Sequence, residues 1–319
     1  MKYPLFGDLQ YAQVTDLTIS APSYAGDAQA LFAMKTKKVT LGNVKVEGAD
    51  MPLPLVKNKT EGYYEYGDMS VTVDDRKITT VEEFLAIGDS AESLKKQYVL
   101  ETDLDFGSSV SSDFAVAGTF SGELAGNGHT ISGLDAVLFE RMDGASVSDL
   151  TIKGTNLTQN TQKGALANDI RNSIVEDVRV KDLTIQNDAN QAGGLAGTIS
   201  NSEIRRISAE NLSIRSNNTI GGIAGQFDGR ILEDCIVTGA IEGTSRHQMG
   251  ARIGGITGGQ GGGIIRRGAA KVSITAPDPV GNGGIIGGPQ SGSATVESAV
   301  SLSTGANANR ISGWDVLGI

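Results

Sequence analysis

The sequence contains a single cysteine, Cys235, in 319 residues. One cysteine cannot form a disulfide within the chain, and it cannot supply the several thiolates of a Cys-based metal site. Cys235 falls in an aliphatic column of the repeat described below, so we predict a buried structural thiol that packs as a small hydrophobic side chain. Aromatic residues make up only 5% of the chain, so its core must be largely aliphatic.

Basic residues are also in short supply. The 27 Lys and Arg residues face 37 Asp and Glu residues, which gives a formal net charge of -10. Nucleic-acid binding needs a basic face, and attraction to anionic membrane surfaces needs basic clusters as well. No apolar run has the length of a membrane-spanning helix. We therefore predict neither nucleic-acid binding nor membrane insertion.

What the sequence does contain is a short motif that returns at steps of 29, 28, 33 and 29 residues. A fixed period between 20 and 50 residues is typical of a solenoid. Leu138-Phe139 precedes the series, and Leu5-Phe6 and Leu31-Phe32 open two further copies near the N-terminus. The five main copies are Leu166-Ala167, Leu195-Ala196-Gly197, Ile223-Ala224-Gly225, Ile256-Thr257-Gly258 and Ile285-Ile286-Gly287.

Aliphatic residues recur at fixed offsets from these motifs. They are mostly β-branched and alternate with polar residues, a period-two pattern that predicts short strands. Stacked copies would bury these residues as ladders, so we predict an all-β parallel β-helix of about eight coils. A propeller is the lesser alternative, since it needs about 40 residues and four strands per repeat. Two such columns are Val147, Val175, Ile204, Leu232 and Ile152, Val180, Ala209, Val237.

Three regions follow from this pattern. Residues 1–50 hold the first coils, with strands near Val14–Ile19 and Val39–Val46. The rhythm then stops, and residues 51–125 are predicted to form a small α/β insertion. Residues 126–319 are predicted to form the main β-helix. Both ends of the chain fall within a repeat, which predicts a segment of a larger protein.

Within the insertion, Thr80 and Glu83 have the spacing of a capping box at the start of a short helix. A second helix is predicted over Ser90–Gln97, followed by a strand over Tyr98–Leu104. Gly126-Asn127-Gly128-His129 is a turn signal that introduces the main β-helix.

Few residues suggest chemistry. His129 lies in the turn, where a hydrogen bond within the loop is the favoured interpretation. His247 lies in the loop that lengthens one repeat to 33 residues. Insertions in one solenoid loop can mark a contact face, so Arg246, His247 and Gln248 are predicted as possible partner contacts. A solvated loop is the alternative.

Polysaccharide-cleaving β-helices need two carboxylates about 5 to 9 Å apart. Asp149 and Asp177 would stack one coil apart, but Arg206 and Asp234 continue their column, which favours a charged outer ladder. Gly258 to Gly263 lacks the Lys and Ser or Thr of a phosphate-binding loop. Further carboxylates that could serve are Asp74, Asp75, Asp103 and Asp105.

The order of the motifs resembles a known family. Gly194 to Gly197 and Gly222 to Gly225 look like the Gly-Leu-Ub-Gly (GLUG) repeat of bacterial surface proteins. The string Phe120 to Ile131, then Leu138-Phe139, then Gly144 to Ile152, resembles the N-terminal region of the immunoglobulin A1 protease and zinc metalloprotease family of Gram-positive bacteria, peptidase family M26. The helix and strand over Val81 to Phe106 match in kind.

The resemblance implies a non-catalytic role. Catalysis in the family depends on a His-Glu-x-x-His helix that binds zinc, whereas the only histidines here are His129 and His247. We therefore assign no catalytic, cofactor-binding or metal-binding residue, and any zinc would belong to the parent protease.

The implied function is that of a scaffold or substrate-positioning segment in a secreted, surface-associated bacterial zinc metalloprotease. Its partners would be a host glycoprotein such as immunoglobulin A, or the protease domain of the same chain. One alternative is an adhesin-like stalk that binds host protein or glycan, and a more distant one is a β-helix polysaccharide-degrading enzyme.

Overall fold

The computed structural model describes residues 76–107, 110, 112–244, 252–276, 281–289, 295–305 and 311–312, together with the strands between residues 6 and 73. The chain divides into two compact units, Met1–Arg76 and Lys77–Ile319. A search of the described residues finds no helix with the length and hydrophobicity needed to cross a membrane.

The first unit is a stack of parallel strands. β2 pairs with β4 and β4 pairs with β7, while β1, β3 and β5 form a second parallel sheet that ends in an antiparallel pairing with β6. Both strands predicted in residues 1–50 are confirmed. The bounds are β1 Phe6–Leu9, β2 Ala12–Ser20, β3 Phe32–Met34, β4 Val39–Glu47, β5 Val56–Asn58, β6 Gly62–Tyr63 and β7 Val71–Val73.

A short helix, α1 (Val81–Leu85), precedes the first coils of the second unit. The capping box is present: Glu83 N donates to Thr80 Oγ1 over 3.2 Å, and Thr80 N donates back to Glu83 Oε2 over 3.2 Å. Phe84 is fully buried, with its ring centroid 5.7 Å from that of Phe106 in an edge-to-face contact. The helix thus covers apolar residues of the neighbouring coil. The second predicted helix is only a 3₁₀ turn, Ser93–Lys95.

The second unit is otherwise built from short strands. β8 begins at the boundary between the two units, and the rest follow in chain order. Their bounds are β8 Arg76–Ile78, β9 Gln97–Leu100, β10 Leu104–Asp105, β11 Phe114–Phe120, β12 Glu123–Ala125, β13 Thr130–Ser132, β14 Val137–Asp143, β15 Ser146–Lys153, β16 Asn156–Leu157, β17 Ala167–Arg171, β18 Ile174–Lys181, β19 Thr184–Gln186, β20 Gln191–Gly193, β21 Ala196–Ser200, β22 Glu203–Arg205, β23 Ser208–Ser216, β24 Thr219–Gly221, β25 Ala224–Asp228, β26 Ile231–Gly243, β27 Arg252–Gly254, β28 Thr257–Gln260, β29 Ile264–Thr275, β30 Asn282–Gly283, β31 Ile286–Pro289, β32 Thr295–Glu297 and β33 Val300–Ser301.

These strands stack coil on coil into parallel sheets. One sheet has the order β11-β14-β17-β21-β25-β28-β31, a second has β20-β24-β27-β30, and the longest winds from β8 to β33. The registers reproduce both predicted columns: Val147 pairs with Val175, and Val175 with Ile204. All eight members of those columns are buried. The predicted parallel β-helix is confirmed, whereas the number of coils stays a prediction.

The range predicted for the α/β insertion, residues 51–125, is too wide at both ends. β12 pairs in parallel with both β9 and β15, and β11 pairs with β14, so residues 97–125 are already coils of the β-helix. On the other side, β5 and β7 continue the parallel sheets of the first unit. Among the described residues from 76 to 125, the part outside the coils is α1 with the 3₁₀ turns Ala86–Gly88 and Ser93–Lys95. The sequence repeat does not reveal that these strands belong to coils, because they are short and lack the Gly-rich motif.

Sharp corners between strands use left-handed backbone at non-glycine residues. Asp182 and Asn211 form one such column, with φ values of 53° and 55°. Asn211 Nδ2 donates to Asp182 Oδ1 over 2.8 Å, so the corners of successive coils are joined. Asn and Asp tolerate this conformation because their short side chains form local hydrogen bonds. Polar corners therefore continue the stacking outside the apolar core.

The Gly-rich motif allows two sheets to pack backbone against backbone. Four glycines share one position between paired strand neighbours in successive coils. A Cβ atom placed on Gly225 would lie 2.7 Å from Ala192 N, and one on Gly258 would lie 2.4 Å from Ile220 N. No side chain fits at such distances, so glycine is required. We call this set the glycine column; it consists of Gly197, Gly225, Gly258 and Gly287.

Candidate functional site

A charged surface runs along one corner of the β-helix. Four successive coils each contribute two acidic or two basic side chains, a fifth contributes one acidic side chain, and the sign changes from one of these coils to the next. The registers place Glu176 beside Arg205 and Arg205 beside Glu233, and the alternation continues through β29 and β32. We call this surface the charged ladder. Its members are Glu176-Asp177, Arg205-Arg206, Glu233-Asp234, Arg266-Arg267 and Glu297.

Ion pairs join the coils of the charged ladder. Arg206 binds Asp177 through two hydrogen bonds, Nε to Oδ1 over 2.8 Å and Nη2 to Oδ2 over 2.9 Å. Arg267 binds Asp234 in the same bidentate way, over 2.7 and 2.9 Å. Single exposed ion pairs contribute little to stability, but bidentate geometry fixes which coil lies next to which. The charged ladder therefore fixes the register between neighbouring coils as well as contributing to stability.

Two carboxylates of this surface, those of Asp177 and Asp234, are stabilised in their ionised form. Hydrogen bonds from Arg206 lower the pKa of Asp177, and those from Arg267 lower the pKa of Asp234. A glycoside-cleaving site needs one carboxyl group with a raised pKa to act as general acid. Asp149 occupies the same column one coil earlier, as predicted. The geometry is thus that of the predicted charged ladder, and the Asp177 environment does not suit an acid catalyst.

A shallow groove of about 330 Å³ follows this corner. It is bordered by Asp149, Asp177, Arg179 and Arg206, and Ile236 lies at one side with 54% of its surface exposed. The column residues in it have left-handed backbone, with φ between 50° and 55° for Asp149, Asp177 and Arg206. The groove is open and presents fixed charges of both signs, which suits contact with a polar protein surface.

His129 lies in the turn that precedes β13, and its ring is bonded to a carboxylate. His129 Nδ1 lies 3.1 Å from Asp103 Oδ1, and Thr130 N donates to the same oxygen over 2.9 Å. These bonds tie the turn to the preceding coil, and the bond from Thr130 lowers the pKa of Asp103. Asp105 accepts a bond from Gly107 N in a local turn.

Several predicted positions lie outside the described residues. They are Asp74, Asp75, Arg246, His247 and Gln248, so the predicted partner contact stays a prediction. In the part of the chain that the structure describes, no three His, Cys, Asp or Glu side chains are grouped as metal ligands. The donor set of a family zinc site, with two histidines one helical turn apart, is missing from the sequence itself. The residues of this chain therefore do not fit the zinc site of the family that its sequence resembles.

Cys235 is fully buried in its aliphatic column. Burial raises the pKa of its thiol to about 12, and Sγ donates weakly to Glu233 O over 3.3 Å. A reactive cysteine needs a stabilised thiolate and access to solvent, so the predicted structural role fits this environment.

One protein-family model matches part of this chain. Residues 89–182 match the family model described as "M26 IgA1-specific Metallo-endopeptidase N-terminal region". The family resemblance inferred from the sequence is confirmed. The matched residues run from the 3₁₀ turns to the corner after β18, and so cover the first coils of the second unit. No curated protein matches the chain in sequence.

Two solved structures share the fold. An IgA1 protease superposes with a TM-score of 0.58 at 18% identity, over 81% of this chain and 22% of that protein. A putative immunoglobulin A1 protease from Bacteroides ovatus superposes with a TM-score of 0.56 at 15% identity, over 74% of this chain and 78% of that one. This chain thus spans about a fifth of the length of the first protein. It is similar to a protease-associated, non-catalytic segment.

Proposed function

We propose that this chain is the scaffold or substrate-positioning segment of a secreted, surface-associated zinc metalloprotease that acts on a host glycoprotein such as immunoglobulin A. The observation that carries the proposal is the match of residues 89–182 to the N-terminal region of the M26 family. That match falls on coils of a β-helix whose charged carboxylates are tied in ion pairs.

The architecture suits a positioning role. A solenoid presents a long face built from many coils, which fits a large protein partner better than a small ligand. Cross-coil hydrogen bonds between Asp182 and Asn211, and between Asp177 and Arg206, hold that face rigid. A rigid face loses little conformational entropy when a partner binds.

Partner contact is proposed at two places. The loop with Arg246, His247 and Gln248 is carried over from the sequence as a proposed contact. The open groove beside Asp149 and Arg179 is the second, because its fixed charges of both signs can pair with polar groups of a partner. The proposed partners are immunoglobulin A and a protease domain of the same protein.

Binding measurements test the proposal. The chain of residues 1–319 is immobilised, and immunoglobulin A, a separately expressed M26 protease domain and serum albumin are passed over it. We expect binding to immunoglobulin A or to the protease domain, and none to albumin. Replacement of Arg246, His247 and Gln248 by alanine should weaken the interaction. Binding to neither partner would overturn the proposal, and binding to a different host surface component would favour an adhesin.

A further inference from the structure

The glycine column does not continue through the first coils of the second unit. The register places Glu140 and Asn168 at the same position, between the paired neighbours Phe139–Ala167 and Arg141–Asp169. Asn168 in turn lies beside Gly197. Two coils therefore carry polar side chains where the next four coils carry only hydrogen.

A cleft opens at this change. Its volume is about 460 Å³, within the size range of about 300 to 1,000 Å³ for small-molecule sites. Glu140 and Asn168 line it, as do Arg141 and Asp169 from the adjacent column of the same strands. A strand covers this position at Gly225, Gly258 and Gly287, whereas Gly197 faces Lys163 of the loop formed by residues 158–164. Asn168 is hydrogen-bonded to the same loop.

Hydrogen bonds fix the loop that forms one wall. Gln162 is buried, and its Oε1 accepts from Thr158 N and Gln159 N over 3.0 and 2.9 Å. Its Nε2 donates to Asp135 O over 3.0 Å. Asn168 Oδ1 accepts from Lys163 N over 2.8 Å. The wall is therefore preorganised, so a ligand would not have to order it.

The floor of the cleft is shaped by a β-bulge. The register between β11 and β14 shifts between Val116 and Thr119, opposite Glu140. Gly118 N, freed from the regular ladder, donates to Glu140 Oε2 over 2.8 Å. Bulges often redirect a side chain beside a binding site, and this one holds the Glu140 carboxylate in place.

The charges that line the cleft balance one another. Arg141 Nη2 lies 3.2 Å from Glu140 Oε1, and Arg141 Nε lies 4.0 Å from Asp169 Oδ2. Lys163 adds a second cation whose ammonium group has no ion-pair partner among the described residues. Two carboxylates and two cations give no net preference for an ionic ligand. They leave spare acceptors beside spare donors, because a carboxylate has about four lone-pair sites and a guanidinium five N–H groups.

We infer that this cleft binds a neutral saccharide of one or two units. A sugar hydroxyl donates one hydrogen bond and accepts others, so neighbouring hydroxyls match alternating carboxylates and cations. Phe114 lines the cleft and is half-buried, which offers an aromatic face to the C–H side of a sugar ring. The inference goes beyond the proposed function, since it would hold for a protease segment and for an adhesin alike.

The test uses the whole chain and free sugars. Saturation-transfer NMR is run with a panel of neutral hexoses, N-acetylhexosamines and their disaccharides, and any binder is titrated. We expect at least one binder. Glu140→Gln and Asp169→Asn should each weaken it about tenfold or more, since each removes the charge from an acceptor. Glu123→Gln, at an exposed carboxylate of β12 outside the cleft, is the matched control and should leave the affinity unchanged.

A second variant covers the case in which the polar substitutions disturb the fold. Phe114→Ala should also lower the affinity while circular dichroism stays that of the parent chain. The inference fails if no member of the panel binds at about 10 mM, or if the binder is insensitive to Glu140→Gln, Asp169→Asn and Phe114→Ala.

A further arm identifies the source of the sugar. Immunoglobulin A is tested before and after enzymatic removal of its glycans, with the parent chain and with Glu140→Gln. Loss of binding in both comparisons would assign the cleft to the glycan of that glycoprotein. Sugar binding with unchanged immunoglobulin binding would keep the cleft, assign it to another saccharide source and leave the proposed function intact.

Discussion

Two groups of coils in the second unit solve the same packing problem in different ways. In the coils of Gly225, Gly258 and Gly287, one sheet lies directly against another, and a Cβ atom placed on any of these glycines would lie 2.4 to 2.7 Å from a backbone nitrogen. In the coils of Glu140 and Asn168, polar side chains occupy the equivalent position, and Asn168 is bonded to the loop of residues 158–164. The difference shows that polar side chains at two positions, together with an adjoining loop, form a cleft within an otherwise continuous stack.

The largest loss of stability is expected for substitutions in the glycine-packed coils. Gly225→Val should destabilise the chain by roughly 3 kcal/mol or more, because its side chain would meet main-chain atoms that cannot move independently. Urea unfolding followed by circular dichroism measures this change. Gly262→Ala is the matched control, since a Cβ there has no neighbour within 4 Å, and it should stay within about 0.5 kcal/mol of the parent. Equal stability of both variants would contradict the backbone-packing account.

A smaller effect is expected in the polar coils. Asn168→Ala removes the acceptor of Lys163 N and the donor to Thr161 O. The loss should be about 1 to 2 kcal/mol, because a half-buried loop then keeps unsatisfied main-chain groups. Asn156→Ala changes an exposed amide on the same β-helix and should have almost no effect. If Asn168→Ala were as damaging as Gly225→Val, the two groups of coils would not differ in the way described.

Charge reversal in the ladder should have a still smaller effect that depends on salt. Arg206→Glu would place acidic side chains in four successive coils, from Asp149 to Asp234, and we expect a lower urea midpoint at low ionic strength. Raising NaCl to about 0.5 M should narrow the difference, because exposed charges are screened. Lys153→Glu, a reversal outside the ladder, serves as the control. A midpoint that does not respond to salt would exclude an electrostatic origin.

The smallest effect concerns pH. The pKa of Asp177 is lowered from 3.8 in the folded chain by its bonds to Arg206. The stabilisation is therefore complete above 3.8 and is lost as the pH falls through the lower folded-state value. Unfolding free energies of the parent and Asp177→Asn, measured from pH 7 downwards, should converge in acid. A difference in unfolding free energy that grows as the pH falls would contradict a lowered pKa of Asp177 in the folded chain.

The sequence predicts the core better than the cleft. Columns such as Val147, Val175 and Ile204 are visible because identical chemistry recurs at a fixed spacing, and the structure pairs them as predicted. The sequence did not predict that the strands between residues 51 and 125 belong to coils, since short strands without the glycine motif leave no periodic signal. Glu140 and Asn168 were visible in the sequence as departures from the motif. Their role in the cleft could not be inferred, because only the strand register shows which residues lie next to them.

The alternating signs of the charged ladder limit how this molecule can change in length. If the coil with Glu233 and Asp234 were deleted, Arg205 and Arg206 would come to lie on Arg266 and Arg267. If two adjacent coils were deleted, acid would again lie on base. The same holds for slippage between similar repeats during folding, where a shift of one coil is penalised and a shift of two is not. A change by an odd number of coils therefore brings like charges together, whereas an even change does not. Coils should accordingly be gained and lost in pairs.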